Sequence, residues 1–235
     1  MRRALALDAL AIVLAWVAVS APLPRGWVEH GYANGIFAAM NRGFVALSDQ
    51  VPFAVGDVQV IAVLVALVVW WVRAIRRAPR GRKLRTAAAL LAHTAGFAAL
   101  AVVVFELLWG LNYRRVTVSA RVDYSEVRVT DAAVARFSER IVDTLNANVA
   151  AAHAEPLDRA KLRAAFIPLV RRLGDDWDVT VTLPKTTIVN PYYEAAGIGG
   201  QYSPFSFETL LNASFLPWEV PRALAHEWAH AGGFT

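Results

Sequence analysis

The chain contains no cysteine among its 235 residues. A disulfide framework, a thiolate metal site and a cysteine nucleophile are therefore excluded, and any zinc ion must be held by nitrogen and oxygen ligands. Charged residues are also scarce, at 18%, whereas apolar residues make up 57% of the sequence. This composition is too apolar for an ordinary soluble domain and indicates membrane-spanning segments.

The second half of the chain lacks a basic excess. Residues 1–113 hold eleven Lys or Arg and five Asp or Glu, a net charge of +6, whereas residues 114–235 hold thirteen and fourteen, a net charge of −1. A basic stripe interleaved with aromatic residues, which nucleic-acid binding would need, is absent from the second half. We therefore expect no nucleic-acid partner.

Three long apolar runs predict transmembrane helices, and hence a lipid bilayer as partner, at about residues 4–21, 53–72 and 86–109. Residues 73–85, between the second and third runs, contain seven Lys or Arg and no acidic residue. This positive-inside signal predicts that the segment is cytoplasmic and that the chain from Arg114 onward is extracytoplasmic. The same basic segment also suits binding of phosphate or lipid headgroups, and the first run alternatively fits a cleaved signal peptide.

Two ionisable residues, His93 and Glu106, fall within the third predicted span. Such residues are often functional, but Glu106 lies one turn from Trp109 and is expected at the outer interface. The two residues are thirteen positions apart and point to different helix faces, so we expect no proton relay between them. Between the first two spans, apolar spacing from Trp27 to Leu47 predicts a helix that lies on the membrane surface or on the extracytoplasmic domain.

The second half is predicted to form an α+β domain. Apolar residues at helical spacing predict packing helices over about residues 131–148 and 158–173, and Pro168 should kink or break the second one. Strand patterns occur at residues 179–183 and 186–189. Residues 206–211 predict a further strand, which could pair with extended peptide if it lies at a sheet edge.

The segment from Pro191 to Phe205 is too rich in glycine, proline and tyrosine to predict a packed element. A loop of this kind suits the rim of a substrate site, where tyrosine hydroxyls can stabilise an oxyanion. It is equally typical of an ordinary turn-rich connection. The candidates for oxyanion stabilisation are Tyr192, Tyr193 and Tyr202.

Near the end of the sequence, residues 226–230 read His-Glu-Trp-Ala-His, an H-E-x-x-H pattern. A proline before the pattern and two glycines after it predict that it lies on one helix. His226 and His230 would then share a face and bind one zinc ion, while Glu227 takes a proton from a water molecule on that ion. The alternative is an amphipathic helix whose histidines are merely polar groups at the surface or in the core.

A catalytic zinc site needs a third protein ligand. A histidine directly after Thr235 would complete a metzincin pattern whose glycine is Gly233, whereas a gluzincin-like site would take a glutamate from a following helix. Upstream residues are a further source, although their spacing singles none of them out: Glu194, Glu208, Glu219 and His153. We therefore expect the third ligand beyond Thr235.

Four stretches of sequence occur in a fixed order along essentially the whole chain. They are Val51–Asp57, Trp109–Arg114, Gly197–Phe205 followed by Glu208 and Asn212, and His226–Phe234. Together they resemble a bacterial membrane family, the domain of unknown function 3810. The resemblance implies a zinc peptidase without a named substrate, and a third metal ligand that is a glutamate on a helix beyond Thr235.

The combined prediction is a mainly α membrane protein with three N-terminal transmembrane helices and an extracytoplasmic α+β zincin-like domain over residues 114–235. Its predicted activity is zinc-dependent hydrolysis of peptide bonds in envelope proteins or peptides at the bacterial inner membrane. The alternative is a non-catalytic envelope protein that binds a partner through its glycine- and tyrosine-rich segment. A transporter or channel subunit is disfavoured because the spans show neither paired charges nor broken-helix signals.

Overall fold

The computed structural model describes residues 2–154, 158–172 and 180–234. Contacts between residues divide the chain into two compact units. The first unit comprises Met1–Arg115 with Ser203–Glu208, and the second comprises Val116–Tyr202 with Thr209–Thr235.

Three helices of the first unit are long and apolar enough to cross a membrane, and they lie where the three apolar runs predicted helices. They are α1 (Arg2–Ser20), α3 (Val55–Arg77) and α4 (Lys83–Leu108). Helical structure extends further into the basic segment 73–85 than predicted. Helix α3 continues to Arg77, and a 3₁₀ turn, Arg80–Arg82, leads directly into α4. The non-helical connection is therefore short, and most basic side chains of the segment 73–85 belong to helical residues.

Helix α1 packs against α4 at a glycine. A Cβ atom on Gly96 would come within 2.9 Å of the Asp8 Cα, so this approach requires glycine. On the preceding turn of α4, His93 Nδ1 lies 2.5 Å from Asp8 Oδ2. The prediction of spans without paired charges is therefore wrong. The pair joins residues 85 positions apart, which no local spacing could reveal.

The predicted helix between the first two spans is present as a π-helix, Trp27–Phe37, followed by α2 (Ala38–Ser48). The buried residues of the π-helix are Val28, Glu29, Tyr32, Ala33 and Phe37, and those of α2 are Asn41, Val45 and Ser48. The Tyr32 hydroxyl donates a hydrogen bond to the Leu107 carbonyl at 3.0 Å. This helical segment therefore contacts the C-terminal end of α4.

Residues 203–208 are anchored to the beginning of α3. The Glu208 carboxylate accepts hydrogen bonds from the backbone N–H groups of Val55 and Gly56, at 2.8 and 2.9 Å. The Phe207 ring stacks on Phe44 with ring centroids 4.8 Å apart. Glu208 is fully buried and therefore cannot be stabilised by water. Its charge is stabilised instead by the positive end of the α3 helix dipole.

The second unit contains most of the remaining elements. They are α5 (Val118–Arg121), α6 (Asp131–Ala154), α7 (Arg159–Arg171), β1 (Pro184–Lys185), α8 (Asn190–Ala196), β2 (Gly200–Ser203), β3 (Glu208–Leu211) and α9 (Val220–Ala231). The described strands form one sheet in the order β1–β3–β2, with β1 parallel to β3 and Pro184 paired with Thr209.

The two predicted packing helices exist, but one of them does not bury its apolar face. In α6, Val134, Phe137, Ile141 and Leu145 are all more than two-fifths exposed, because no described element covers them. Helix α7 begins at the side-chain cap of Asp158 and continues without a break through Pro168. Of the apolar residues on α7, Phe166 packs against the core, whereas Leu169 is 56% exposed.

The sheet differs from the prediction in three respects. The strand predicted at 206–211 is the central strand β3, so it is not an edge. The first described strand lies at Pro184–Lys185, between the two segments predicted as strands, and Val179 falls outside the described residues. The glycine- and tyrosine-rich segment is also no open loop, because it forms α8, a left-handed turn at Gly197 and the edge strand β2.

Candidate metal centre

The H-E-x-x-H pattern lies on α9, as predicted. Pro221 occupies the first turn, where its missing N–H costs no hydrogen bond, and the helix ends at Gly232. Gly233 then adopts a left-handed conformation with φ of 78°, which glycine accepts without strain. The local signals in the sequence therefore set both ends of this helix.

Burial of one face fixes the rotation of α9. Its buried side chains are Ala223, Leu224, Glu227, Trp228 and Ala231. The Trp228 indole N–H donates to the Thr182 carbonyl at 3.0 Å, and its ring lies 5.7 Å from that of Phe166. Val170 and Leu211 belong to the same core. His226 and His230 consequently lie on the more exposed part of the helix surface.

The two histidine rings converge. The Nε2 atoms of His226 and His230 lie 3.1 Å apart, and the ring centroids are separated by 4.6 Å. Two imidazole ligands on one tetrahedral zinc ion, each at about 2.0–2.1 Å, place their nitrogens about 3.4 Å apart. A small adjustment of the two rings is therefore enough for both to bind the same ion.

Hydrogen bonding and electrostatics favour the protonation states that a metal requires. His230 Nδ1 lies 2.9 Å from the Phe234 carbonyl and donates its proton there, which leaves the lone pair on Nε2. Burial lowers the pKa of His226, and repulsion from His230 and Arg222 lowers it further. A neutral His226 also carries a nitrogen lone pair, as metal binding needs.

Glu227, which lies between His226 and His230 in the sequence, is buried. It is only 4% exposed, and its Oε2 atom has no hydrogen-bond partner among the described residues. Burial raises the pKa of Glu227, whereas the positive charge that His230 carries when protonated and a hydrogen bond from the Tyr202 backbone N–H lower it. A carboxylate with a raised pKa and an unused oxygen suits a general base.

Gly200 in β2 packs against the side chain of Glu227. A Cβ atom at position 200 would approach the Glu227 Cγ to 3.0 Å, the Leu210 carbonyl oxygen to 2.9 Å and the Leu211 Cδ2 to 2.9 Å. Residue 200 must therefore be a glycine for β2 to pass this close to α9. Sequence reasoning missed this role because it predicted no strand at residues 200–203, where a glycine would have indicated close backbone approach.

The three tyrosines considered for oxyanion stabilisation have different surroundings. Tyr192 is 63% exposed on α8. Tyr193 is buried, and its hydroxyl donates to the Gln201 side chain at 2.8 Å. Tyr202 is also buried and reaches Glu227 through its backbone N–H. Tyr192 is thus the one of these three whose side chain faces solvent.

None of the upstream residues joins the two histidines. Within residues 2–154, 158–172 and 180–234, no group of three or more His, Cys, Asp or Glu is arranged to hold a metal ion. Glu194 bonds to Asn190 and Glu208 caps α3, while Glu219 accepts from the Leu216 N–H at 2.8 Å. The His153 ring packs against that of Trp218, with centroids 5.4 Å apart. The imidazole nitrogens of His226 and His230 fit zinc in kind, and these two residues are the candidates to hold it.

Comparison with known proteins identifies one family. Residues 32–235 match the family described as a protein of unknown function, DUF3810. No curated protein and no solved structure matches the chain. Because the match extends over most of the sequence, the chain belongs to the DUF3810 family.

Proposed function

We propose that this protein is a membrane-anchored zinc metallopeptidase that hydrolyses peptide bonds in envelope proteins or peptides. The observation that carries the proposal is the convergence of the His226 and His230 Nε2 atoms, 3.1 Å apart, beside the buried carboxylate of Glu227. A helix with merely polar histidines needs no buried carboxylate oxygen without a partner, because such an atom costs free energy. A metal-assisted hydrolytic site accounts for both features.

In the proposed mechanism, His226 and His230 hold the metal through their Nε2 atoms, and the Phe234 carbonyl orients His230. Zinc, when bound, supplies Lewis acidity that lowers the pKa of a water molecule and polarises a peptide carbonyl. Glu227 accepts the proton of the attacking water at its carboxylate and later gives it to the departing amine. A third ligand, a glutamate from outside the described residues, completes the set.

We also propose that the site lies on the extracytoplasmic side of a bacterial inner membrane. The basic residues between α3 and α4, of which Arg80 and Arg82 are two, support a cytoplasmic position for that connection. The chain that follows α4 would then emerge on the opposite side. Alkaline phosphatase fused after Arg115 should be active and a fusion after Gly81 inactive, and the reverse pattern would contradict this topology.

Metal content and hydrolysis of the complete polypeptide test the proposed activity. The protein purified in detergent without chelators should contain about one zinc per chain and cleave an unfolded substrate such as reduced casein. Glu227→Gln should keep the zinc and lose roughly 10²–10⁴-fold in kcat, because it removes the general base alone. His226→Ala should lose both metal and activity.

Two results would contradict the proposal in different ways. A complete polypeptide without transition metal would exclude the zinc site. A zinc-bound protein whose cleavage is absent, or unchanged by Glu227→Gln, would instead favour a non-catalytic envelope protein that binds a partner. Glu126→Gln, the same chemical change at an exposed position, serves as the control for any general effect on the preparation.

A further inference from the structure

Two adjoining cavities lie along α3 and α4 in the first unit. Their volumes are about 520 and 440 Å³, and both are lined by Trp70 of α3 and His93 of α4. The helices are joined near these residues by a hydrogen bond of 3.1 Å from the Trp71 indole N–H to the Thr94 hydroxyl. Both cavities touch Trp70 and His93, and together they are here called the α3–α4 groove.

One end of the α3–α4 groove is cationic. Arg82, Arg85 and Thr86 line it next to the helix connection. Neither arginine forms an ion pair within the part of the chain that the structure describes, and the segment from Arg73 to Phe97 contains no acidic residue. The carboxylate of Asp8 is already engaged by His93. Two guanidinium groups with a hydroxyl beside them therefore offer an unneutralised anion site.

The other end of the groove is apolar. Its lining consists of Val63, Ala66, Leu67, Trp70, His93 and Phe97. Along α4, the distance from Arg85 to Phe97 is about 18 Å at 1.5 Å per residue. A single leaflet of the hydrocarbon core is about 15 Å thick. The groove therefore extends from a basic helix end to roughly the depth of one acyl chain.

We propose that the α3–α4 groove binds one anionic phospholipid, with its phosphate on Arg82 and Arg85 and one acyl chain between Leu67 and Phe97. Basic pockets between membrane helices, at the level of the headgroups, suit such lipids. Two other occupants would each satisfy only one end of the groove. Inorganic phosphate would leave the apolar half unfilled, and an apolar helix of another protein would leave the two arginines without an anion. An anionic amphiphile satisfies both ends at once.

Lipid retention by the complete polypeptide tests this proposal. The detergent-purified protein would be mixed with equal amounts of phosphatidylglycerol and phosphatidylcholine, and bound lipid would be counted by native mass spectrometry. The wild type should retain one phosphatidylglycerol in preference to phosphatidylcholine. The double variant Arg82→Gln, Arg85→Gln should lower that retention roughly 30-fold, the loss expected for two basic contacts near a membrane surface.

A matched control separates a specific site from general surface charge. Arg76→Gln with Arg77→Gln removes the same charge from the same segment, but neither residue lines the groove. This variant should retain nearly the wild-type amount of phosphatidylglycerol. An equal loss in both double variants would overturn the proposal, because it would show attraction to the basic surface alone.

A second pair of variants tests the apolar half. Ala66→Phe fills the groove beside the acyl chain and should abolish retention, whereas Val65→Phe, at a 56% exposed neighbour outside the lining, should not. Retention that survives Ala66→Phe would contradict the proposed path of the acyl chain. A lipid-free homodimer that Ala66→Phe dissociates would assign the groove to a second copy of the chain and overturn the proposal.

Discussion

Gly200 lies directly against Glu227, so that a Cβ atom at position 200 would come within 3.0 Å of the Glu227 Cγ. The same atom would approach the Leu210 carbonyl oxygen to 2.9 Å, and a backbone atom cannot move aside as a flexible side chain can. Strand β2 and helix α9 therefore share a boundary that admits no additional methyl group. The position of the glutamate depends on this boundary.

Gly200→Ala should displace the Glu227 carboxylate while leaving the two histidines in place. A displacement near 1 Å costs about 10²-fold in rate, so kcat should fall roughly 10–100-fold with zinc content unchanged. Zinc analysis and casein cleavage on the same preparation measure the two effects separately. Gly43→Ala, where no atom lies within 4 Å of the added methyl, is the control and should leave both unchanged. Normal cleavage by Gly200→Ala would contradict this role for the glycine.

Local sequence rules predicted helix α9 because everything they needed lay within twelve residues. The i and i+4 spacing put His226 and His230 on one face, and Pro221 with Gly232 marked the two ends. The same reasoning could not find the hydrogen bond from the Tyr202 backbone or the approach of Gly200, because both come from a strand more than twenty positions earlier. Contacts between distant segments depend on the fold.

The three long apolar helices show the same difference between features that a local sequence pattern predicts and contacts that depend on the fold. Their existence followed from apolar length, but the pairing of Asp8 with His93 depends on which helices are neighbours, and apolar length carries no such information. The exposed face of α6 is a further example of what a local pattern cannot predict. Helical spacing correctly predicted the helix and its apolar stripe, whereas burial of that stripe requires a covering element, which a periodic pattern cannot identify.

Glu208→Ala should destabilise the protein without affecting zinc. Its buried carboxylate accepts the N–H groups of Val55 and Gly56, and loss of this helix cap should lower the free energy of unfolding by about 2 kcal/mol. Glu208→Gln retains one acceptor oxygen and should lose less. Thermal unfolding in detergent measures the change, with the exposed Glu126→Ala as control. A fall in zinc content with normal stability would instead make Glu208 a metal ligand.

The buried ion pair between Arg115 and Glu29 should be much more sensitive than an exposed one. Arg115 donates to Glu29 Oε1 at 2.8 Å, and both side chains are no more than 6% exposed. Glu29→Gln leaves a buried guanidinium without its counter-ion and should cost about 3–5 kcal/mol. Replacing both residues, with Glu29→Leu and Arg115→Met, should cost less than the single change.

The exposed pair of Arg128 and Asp123 provides the comparison for that experiment. Its nitrogen and oxygen atoms lie 2.9 Å apart, close to the 2.8 Å of the buried pair, but the two side chains are 56% and 95% exposed. Asp123→Asn should therefore change the free energy of unfolding by less than about 1 kcal/mol. Chemical unfolding of both variants in the same detergent gives the difference. Equal effects of Glu29→Gln and Asp123→Asn would show that burial does not govern the strength of these pairs.

Gly96→Val should separate α1 from α4. The added Cβ atom would lie 2.5 Å from Asp8 Oδ1 and 2.9 Å from the Asp8 Cα, and the latter cannot yield without movement of the whole helix. We expect a loss of about 1–3 kcal/mol, typical of overpacking, together with breakage of the His93–Asp8 contact. Crosslinking of cysteines introduced at Leu7 and Phe97 would report the helix separation, and Gly81→Val, with open space around it, is the control. Unchanged crosslinking with unchanged stability would show that the two helices do not require a glycine at their contact.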